Sequence, residues 1–180
     1  MTKVLIVPTS IRTARAADGV LEQVKSALTD FPTINATVFD FKDTPLPFFD
    51  GAMPPSAEGF VPSNENAKTW LDAVNDTDVV LLLVAEYNHS YTAILKNAID
   101  WLPPTILKDK PISFIGYGFS GGIRAIEKAR SLLTDYIQAS LSSVEGQLFL
   151  TKTIDFDGSA IDKTAARSEI KKVLDDIISK

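Results

Sequence analysis

The sequence predicts an α/β protein built on a doubly wound, five-stranded parallel sheet in the order 2-1-3-4-5. Strand-like and helix-like segments alternate along the whole 180-residue chain. The run at 78–84 (DVVLLLV) is apolar enough for a strand buried on both faces of a parallel sheet. Three chemically unusual loops follow the first, third and fourth strands. In this strand order those loops crowd together where the sheet reverses direction, the place where open α/β sheets bind ligands.

Each element has its own signal. Residues 3–7 (KVLIV) read as a short β-branched first strand, and 18–29 as a helix, because Val20, Leu21, Val24, Ala27 and Leu28 recur at helical spacing. Residues 37–41 (TVFDF) alternate as a second strand. The stretch 42–63 is rich in proline, carries Phe48, Phe49 and Phe60 without periodicity, and reads as a long surface loop. A helix follows at 64–75. Beyond the third strand, Ile94, Leu95, Ala98, Ile99 and Leu102 form one helical face. Residues 111–115 (PISFI) are the fourth strand, and Ala125, Ile126, Ala129, Leu132, Leu133, Tyr136 and Ile137 stripe the next helix. Residues 147–150 form the fifth strand and 163–179 a closing helix. With no repeat, low-complexity tract or linker, residues 1–180 read as one domain.

Composition narrows the function. Eighteen basic against 23 acidic residues leave a net charge of −5, and no basic run exists, so nucleic acid is disfavoured as a partner. No window approaches the length of a membrane span and the amino terminus has no signal-peptide core, which predicts a cytoplasmic protein. There is no cysteine and a single histidine, which removes thiolate chemistry and Cys- or His-rich metal sites. Chemistry is then expected from an organic cofactor, with no metal and no catalytic side chain named.

The loop after the first strand, residues 9–15 (TSIRTAR), offers hydroxyls, two cations and a helix N-terminus, the parts of a phosphate cradle. Alternatively Ser10 or Thr13 caps the helix and the arginines are solvated. The loop lacks the glycine and lysine spacing of a P-loop and the glycine spacing of a dinucleotide fingerprint, so a monophosphate fits better than a pyrophosphate. The loop after the third strand holds Ala85, Glu86, Tyr87, Asn88 and His89. Taken singly, Glu86 reads as an exposed carboxylate, Asn88 as a helix cap and His89 as a surface residue. The loop after the fourth strand, 116–122 (GYGFSGG), reads as a plain turn or as a place where a ligand approaches the backbone closely.

Taken together, three segments resemble the NADPH-dependent FMN reductase family, a flavodoxin-like group of flavin, quinone and azo-compound reductases. Residues 85–102 (AEYNHSYTAILKNAIDWL) resemble its PEYN…LKNAIDW signature, 9–15 its GSxRxxR phosphate loop, and 116–125 its SYG…SGGxRA segment. The resemblance implies noncovalent FMN, reduced by hydride from NADPH or NADH, and a small-molecule electron acceptor. It implies that Ser10, Arg12 and Arg15 hold the FMN phosphate. Ala85, Glu86, Tyr87 and Asn88 would meet the flavin edge, and Gly116, Tyr117 and Gly118 would border the isoalloxazine. A flavodoxin-type electron carrier without NAD(P)H activity is the alternative.

The departures carry expectations of their own. Thr9 replaces the family's glycine, and its Cβ is expected to limit approach of a phosphate. Ala85 and Thr92 replace prolines, which predicts a more mobile flavin edge. Gly116 stands where serine is common. The family also implies a homodimer or dimer of dimers, with Trp101, Leu102 and the Phe48–Phe49 pair either at that interface or covering the chain's own core. The proline-rich loop is then expected to reach over a partner's flavin.

Overall fold

The computed structural model describes residues 1–179. Five parallel strands, β1 (Thr2–Pro8), β2 (Ile34–Val38), β3 (Val79–Ala85), β4 (Pro111–Gly118) and β5 (Ser140–Phe149), form one sheet in the predicted order 2-1-3-4-5. They alternate with α1 (Ala16–Leu28), α2 (Glu65–Asn75), α3 (Ala93–Asp100), α4 (Ile123–Asp135) and α5 (Lys163–Ile178).

β3 lies at the centre, pairing with β1 (Val4 opposite Val79) and β4 (Val80 opposite Ile112), and every one of its residues is buried. Alternate side chains serve opposite faces. Leu5, Val7, Leu82 and Phe114 pack against α2, α3 and α4, whereas Ile6, Leu81, Leu83 and Ile115 pack against α1 and α5. Each such apolar side chain is worth about 1.5–3 kcal/mol when buried, so the central strands fix the sheet and leave the loops at its carboxyl edge free to specialise. Among the described residues no helix is long and apolar enough to cross a membrane.

Three boundaries differ from expectation. β2 runs Ile34–Val38, not 37–41, because Phe39 and Phe41 leave the strand to pack on Trp70, with ring centroids 5.0 and 5.2 Å away. β5 begins at Ser140, not 147, and its register shifts opposite Ile112–Phe114. That irregular, half-polar edge strand hides its alternation. Helix α3 stops at Asp100, before Pro103 and Pro104.

The proline-rich segment 42–63 has neither helix nor strand, as expected. It is tied to α3: Asn97 accepts from the Phe49 N–H (3.0 Å) and donates to the Pro47 carbonyl (2.9 Å), and Trp101 Nε1 donates to that same carbonyl (3.1 Å). Trp101 and Leu102 cover the chain's own core, and Phe49 packs edge-on to Trp101 at 4.9 Å. Phe48 alone of that group is exposed.

Candidate cofactor site

Local backbone chemistry opens a cleft at the carboxyl edge of the sheet. Helices α2, α3 and α5 are capped by the side chains of Asn64, Thr92 and Asp162, whereas α1 and α4 have no side-chain cap of their own at their N-termini. The cleft has a volume of about 520 Å³, within the range of small-molecule sites. Its walls come from the three loops singled out in the sequence and from a fourth, after β5, that contributes Leu150, Phe156 and Asp157.

In the β1–α1 loop, Ser10 and Arg12 both line the cleft. The Ser10 and Tyr87 hydroxyls share a 2.6 Å hydrogen bond, joining the first loop to the second. Arg12 is exposed, makes no ion pair among the described residues, and lies 5.9 Å from the Tyr87 ring centre. Arg15 is also a wall residue but is differently employed. Its guanidinium donates to Asp18 from Nε (2.9 Å) and Nη2 (2.7 Å), to the Ser10 carbonyl from Nη1 (2.5 Å), and to both carboxylate oxygens of Asp40. An arginine has five N–H groups, and here all of them have protein partners. Expected beside a phosphate, Arg15 is thus already engaged, and the Asp40 hydrogen bonds raise its pKa further.

The departures at Thr9 and Thr92 answer each other. Thr9 is buried with its side chain turned into the sheet, where its hydroxyl donates to the Leu83 carbonyl (3.0 Å) and accepts from the Ala85 N–H (3.1 Å). Its Cβ is therefore not a wall of the cleft. Thr92 donates to the Thr9 carbonyl (2.6 Å) and caps α3 by accepting from the Leu95 N–H (3.3 Å). At the position of the family's proline, a buried threonine that bonds both ways ties this loop to the turn after β1.

Tyr87 and Ser90 exchange two backbone hydrogen bonds of 2.9 Å around Asn88 (φ 48°) and His89 (φ 62°), the pattern of a type I′ turn. Both tip residues are exposed, so Asn88 is neither a helix cap nor a wall of the cleft, and His89 is a surface residue whose carbonyl accepts from Lys128. Ala85 and Glu86 do line the cleft. Glu86 is not the exposed carboxylate that its sequence position suggested: its side chain is 6% exposed, pairs with Arg124 (3.0 Å) and accepts from the Arg124 backbone N–H (3.3 Å). It supplies the carboxylate that the uncapped N-terminus of α4 lacks.

From the third loop, Tyr117 and Gly118 reach the cleft and Gly116 does not. Gly116 is a packing glycine: a Cβ there would meet the Gly121 carbonyl at 2.6 Å, and one on Gly122 would meet the Gly116 Cα at 2.6 Å. Phe119 (68% exposed) stands edge-on to Phe156 (61% exposed), with centroids 6.1 Å apart. The β5–α5 loop that carries Phe156 is seated on the start of α1, where a Cβ on Gly158 would lie 2.0 Å from the Ala16 carbonyl.

An anionic, ring-bearing cofactor fits these residues. Tyr117 lines the cleft, and its hydroxyl is buried with no hydrogen-bond partner; burial pushes its pKa well above the ordinary phenol range and keeps it neutral. Nearby stand the free cation Arg12, the Ser10–Tyr87 hydroxyl pair and the uncapped first turn of α1, a favourable setting for an anion. Among the described residues no group of acidic or histidine side chains could hold a metal. Asp18, Asp40 and Phe156 were missed from sequence, and so were the contacts made by Thr9 and Arg124. All but Asp18, whose partner Arg15 is three positions away, depend on partners far off in the chain, and only the acidic residue inside TVFDF hinted at Asp40.

The fold places the chain among flavodoxin-like α/β proteins. The flavoenzyme NAD(P)H:(acceptor) oxidoreductase FerB of Paracoccus denitrificans superposes with a TM-score of 0.69 at 21% identity, covering 99% of this chain and 98% of that one. An apo NADH:FMN oxidoreductase gives 0.64 at 19% identity, covering 99% and 90%. The family model described as NADPH-dependent FMN reductase matches residues 2–151, and the chain belongs to that family. Among curated relatives, an NAD(P)H-dependent FMN reductase of Nectria sp is 29% identical over 69% of this chain and 64% of its own length. An NAD(P)H:quinone oxidoreductase of Solanum tuberosum is 38% identical over 44% of this chain and 41% of its own. The chain thus aligns to less than two thirds of either relative, and Phe156 lies beyond the family match.

Proposed function

We propose that this protein is an NAD(P)H-dependent oxidoreductase that holds FMN noncovalently in the cleft and passes electrons to a small-molecule acceptor such as a quinone, a flavin or an azo compound. The observation that carries this reading is the meeting of Arg12, the Ser10–Tyr87 hydroxyl pair and the uncapped start of α1 in one cleft. Family membership and relatives named as FMN reductase, quinone oxidoreductase and azoreductase support it.

In this reading Ser10 and Arg12 hold the phosphate, and Tyr87 braces Ser10 from the opposite loop. Ala85 to Tyr87, with Tyr117 and Gly118, border the ring, and Asn88 offers an amide from the turn tip. Bound FMN supplies the hydride and electron chemistry. The chain's own residues bind and orient, so no side chain is assigned as acid or base. A homodimer and a cytoplasmic location belong to the same proposal, and the exposed Phe48, Met53 and Val61 of the proline-rich segment supply apolar surface for a partner copy.

The test is the visible spectrum of protein reconstituted with FMN, desalted, and mixed anaerobically with NADPH and then with NADH. Retained flavin absorbance that bleaches promptly is expected, and the faster nucleotide identifies the donor. Retained flavin that resists both nucleotides would point to an electron carrier, and colourless protein would refute the cofactor assignment.

A further inference from the structure

We propose that Asp40 is a positioning residue for the anion-binding turn, acting through Arg15, and that Arg15 braces this turn without touching the phosphate. The inference rests on the FMN reading above and assigns roles within that site.

Asp40 stands just beyond the end of β2, at the margin of the sheet. Its carboxylate is oriented independently of Arg15, because Oδ1 accepts from the Lys42 backbone N–H at 2.9 Å. The two side chains are almost fully enclosed, Arg15 at 3% and Asp40 at 10% exposure. Both carboxylate oxygens of Asp40 accept from Arg15, a two-point contact that fixes the guanidinium plane. With that plane set, Nη1 donates to the Ser10 carbonyl at 2.5 Å. This carbonyl belongs to the peptide leading from Ser10 into Ile11, so fixing it fixes both the Ser10 hydroxyl and the chain that presents Arg12. The turn itself is irregular backbone with exposed side chains from Ile11 to Ala14. It has little packing of its own to hold it.

Charge points the same way. Arg15, Asp40, Asp18 and Lys42, whose Nζ lies 3.8 Å from Asp18, make a group with no net charge. Such a group adds little attraction for an anion. Releasing Arg15 toward a phosphate would strand Asp40 as an enclosed, unpaired carboxylate. Arg12 is left as the cation of the site.

The two roles for Arg15 predict opposite results in Asp40→Asn. If Arg15 braces the turn, the variant binds FMN more weakly by about tenfold, the scale of one charge-assisted hydrogen bond, while riboflavin, which lacks the phosphate, binds as in the wild type. FMN binding that is unchanged or tighter would overturn the proposal, because a freed Arg15 would then serve as a ligand. Equal weakening for both flavins would also overturn it, by showing general loosening of the cleft.

A second readout needs no flavin. Amide hydrogen exchange of residues 11–14 is expected to speed up in cofactor-free Asp40→Asn while residues 4–7 of β1 keep their protection. Unchanged exchange in the turn would refute the bracing role even if the wild type failed to bind FMN, a failure that would by itself count only against the cofactor assignment. Should Asp40→Asn not fold, Asp40→Glu keeps the charge, shifts it by one methylene and allows the same comparisons.

Discussion

The hydroxyls of Ser10 and Tyr87, 77 positions apart in sequence, lie 2.6 Å from each other and close the gap between the loops after β1 and β3. Removing one partner tests whether that bridge orders the site. Tyr87→Phe keeps the ring under Arg12 and deletes only the hydroxyl. A net hydrogen bond is worth about 1 kcal/mol, so FMN affinity should fall roughly fivefold. A fluorescence titration measures this, and unchanged affinity would show that Ser10 is held in place without Tyr87.

Arg12 makes no ion pair among the described residues, so its replacement leaves no orphaned partner behind. Arg12→Ala should cost about 1.5–3 kcal/mol of FMN binding, or roughly 10–150-fold, with little change in the melting temperature. The salt dependence of FMN affinity should also flatten, because a screened cation has been removed. A dependence as steep as that of the wild type would mean that another cation meets the phosphate.

Thr92 holds two loops at once, through the Thr9 carbonyl and the cap of α3. Thr92→Ala should lower stability by about 2 kcal/mol, combining a lost cap with a buried carbonyl left unpaired. Urea unfolding checks this, and a loss below a few tenths of a kcal/mol would show that water replaces both bonds.

Asp40 predicts an acid dependence. Burial opposes its ionisation, yet the Arg15 hydrogen bonds and the Lys42 amide hold its carboxyl below the usual carboxylate range. Folding therefore favours the ionised form. The stability it brings is fully present above the unfolded-state value near 3.9 and is lost as pH falls through the lower folded value. The stability gap between wild type and Asp40→Asn should be constant from pH 7 to 5 and shrink below about pH 4. A gap that persists unchanged at pH 3 would contradict this.

The sheet was legible because β3 is apolar along its whole length, a pattern that only a central parallel strand needs. β2 was misplaced because TVFDF alternates like a strand, and alternation does not distinguish paired backbone from extended chain whose aromatics are gathered by Trp70. Of the residues read as the site, Ser10, Arg12, Arg15, Ala85, Glu86, Tyr87, Tyr117 and Gly118 line one cleft, whereas Asn88 and Gly116 do not. Arg15 and Thr9 took other work because Asp40 lies 25 positions from Arg15, and Leu83 and Thr92 lie 74 and 83 positions from Thr9. Spacing along the chain cannot reveal such partners. The LKNAIDW segment has a structural use that its apolar face does not announce: Asn97 and Trp101 pin the proline-rich loop.

The central claim is that the cleft recognises a phosphate-bearing flavin through the turn after β1. Calorimetric titration of cofactor-free protein with FMN and with riboflavin, under one salt condition, tests it most directly. FMN binding tighter than riboflavin by about tenfold or more is the predicted result, since the phosphate adds at least one charge-assisted contact. Equal affinity for the two, or no heat with either, would contradict the account.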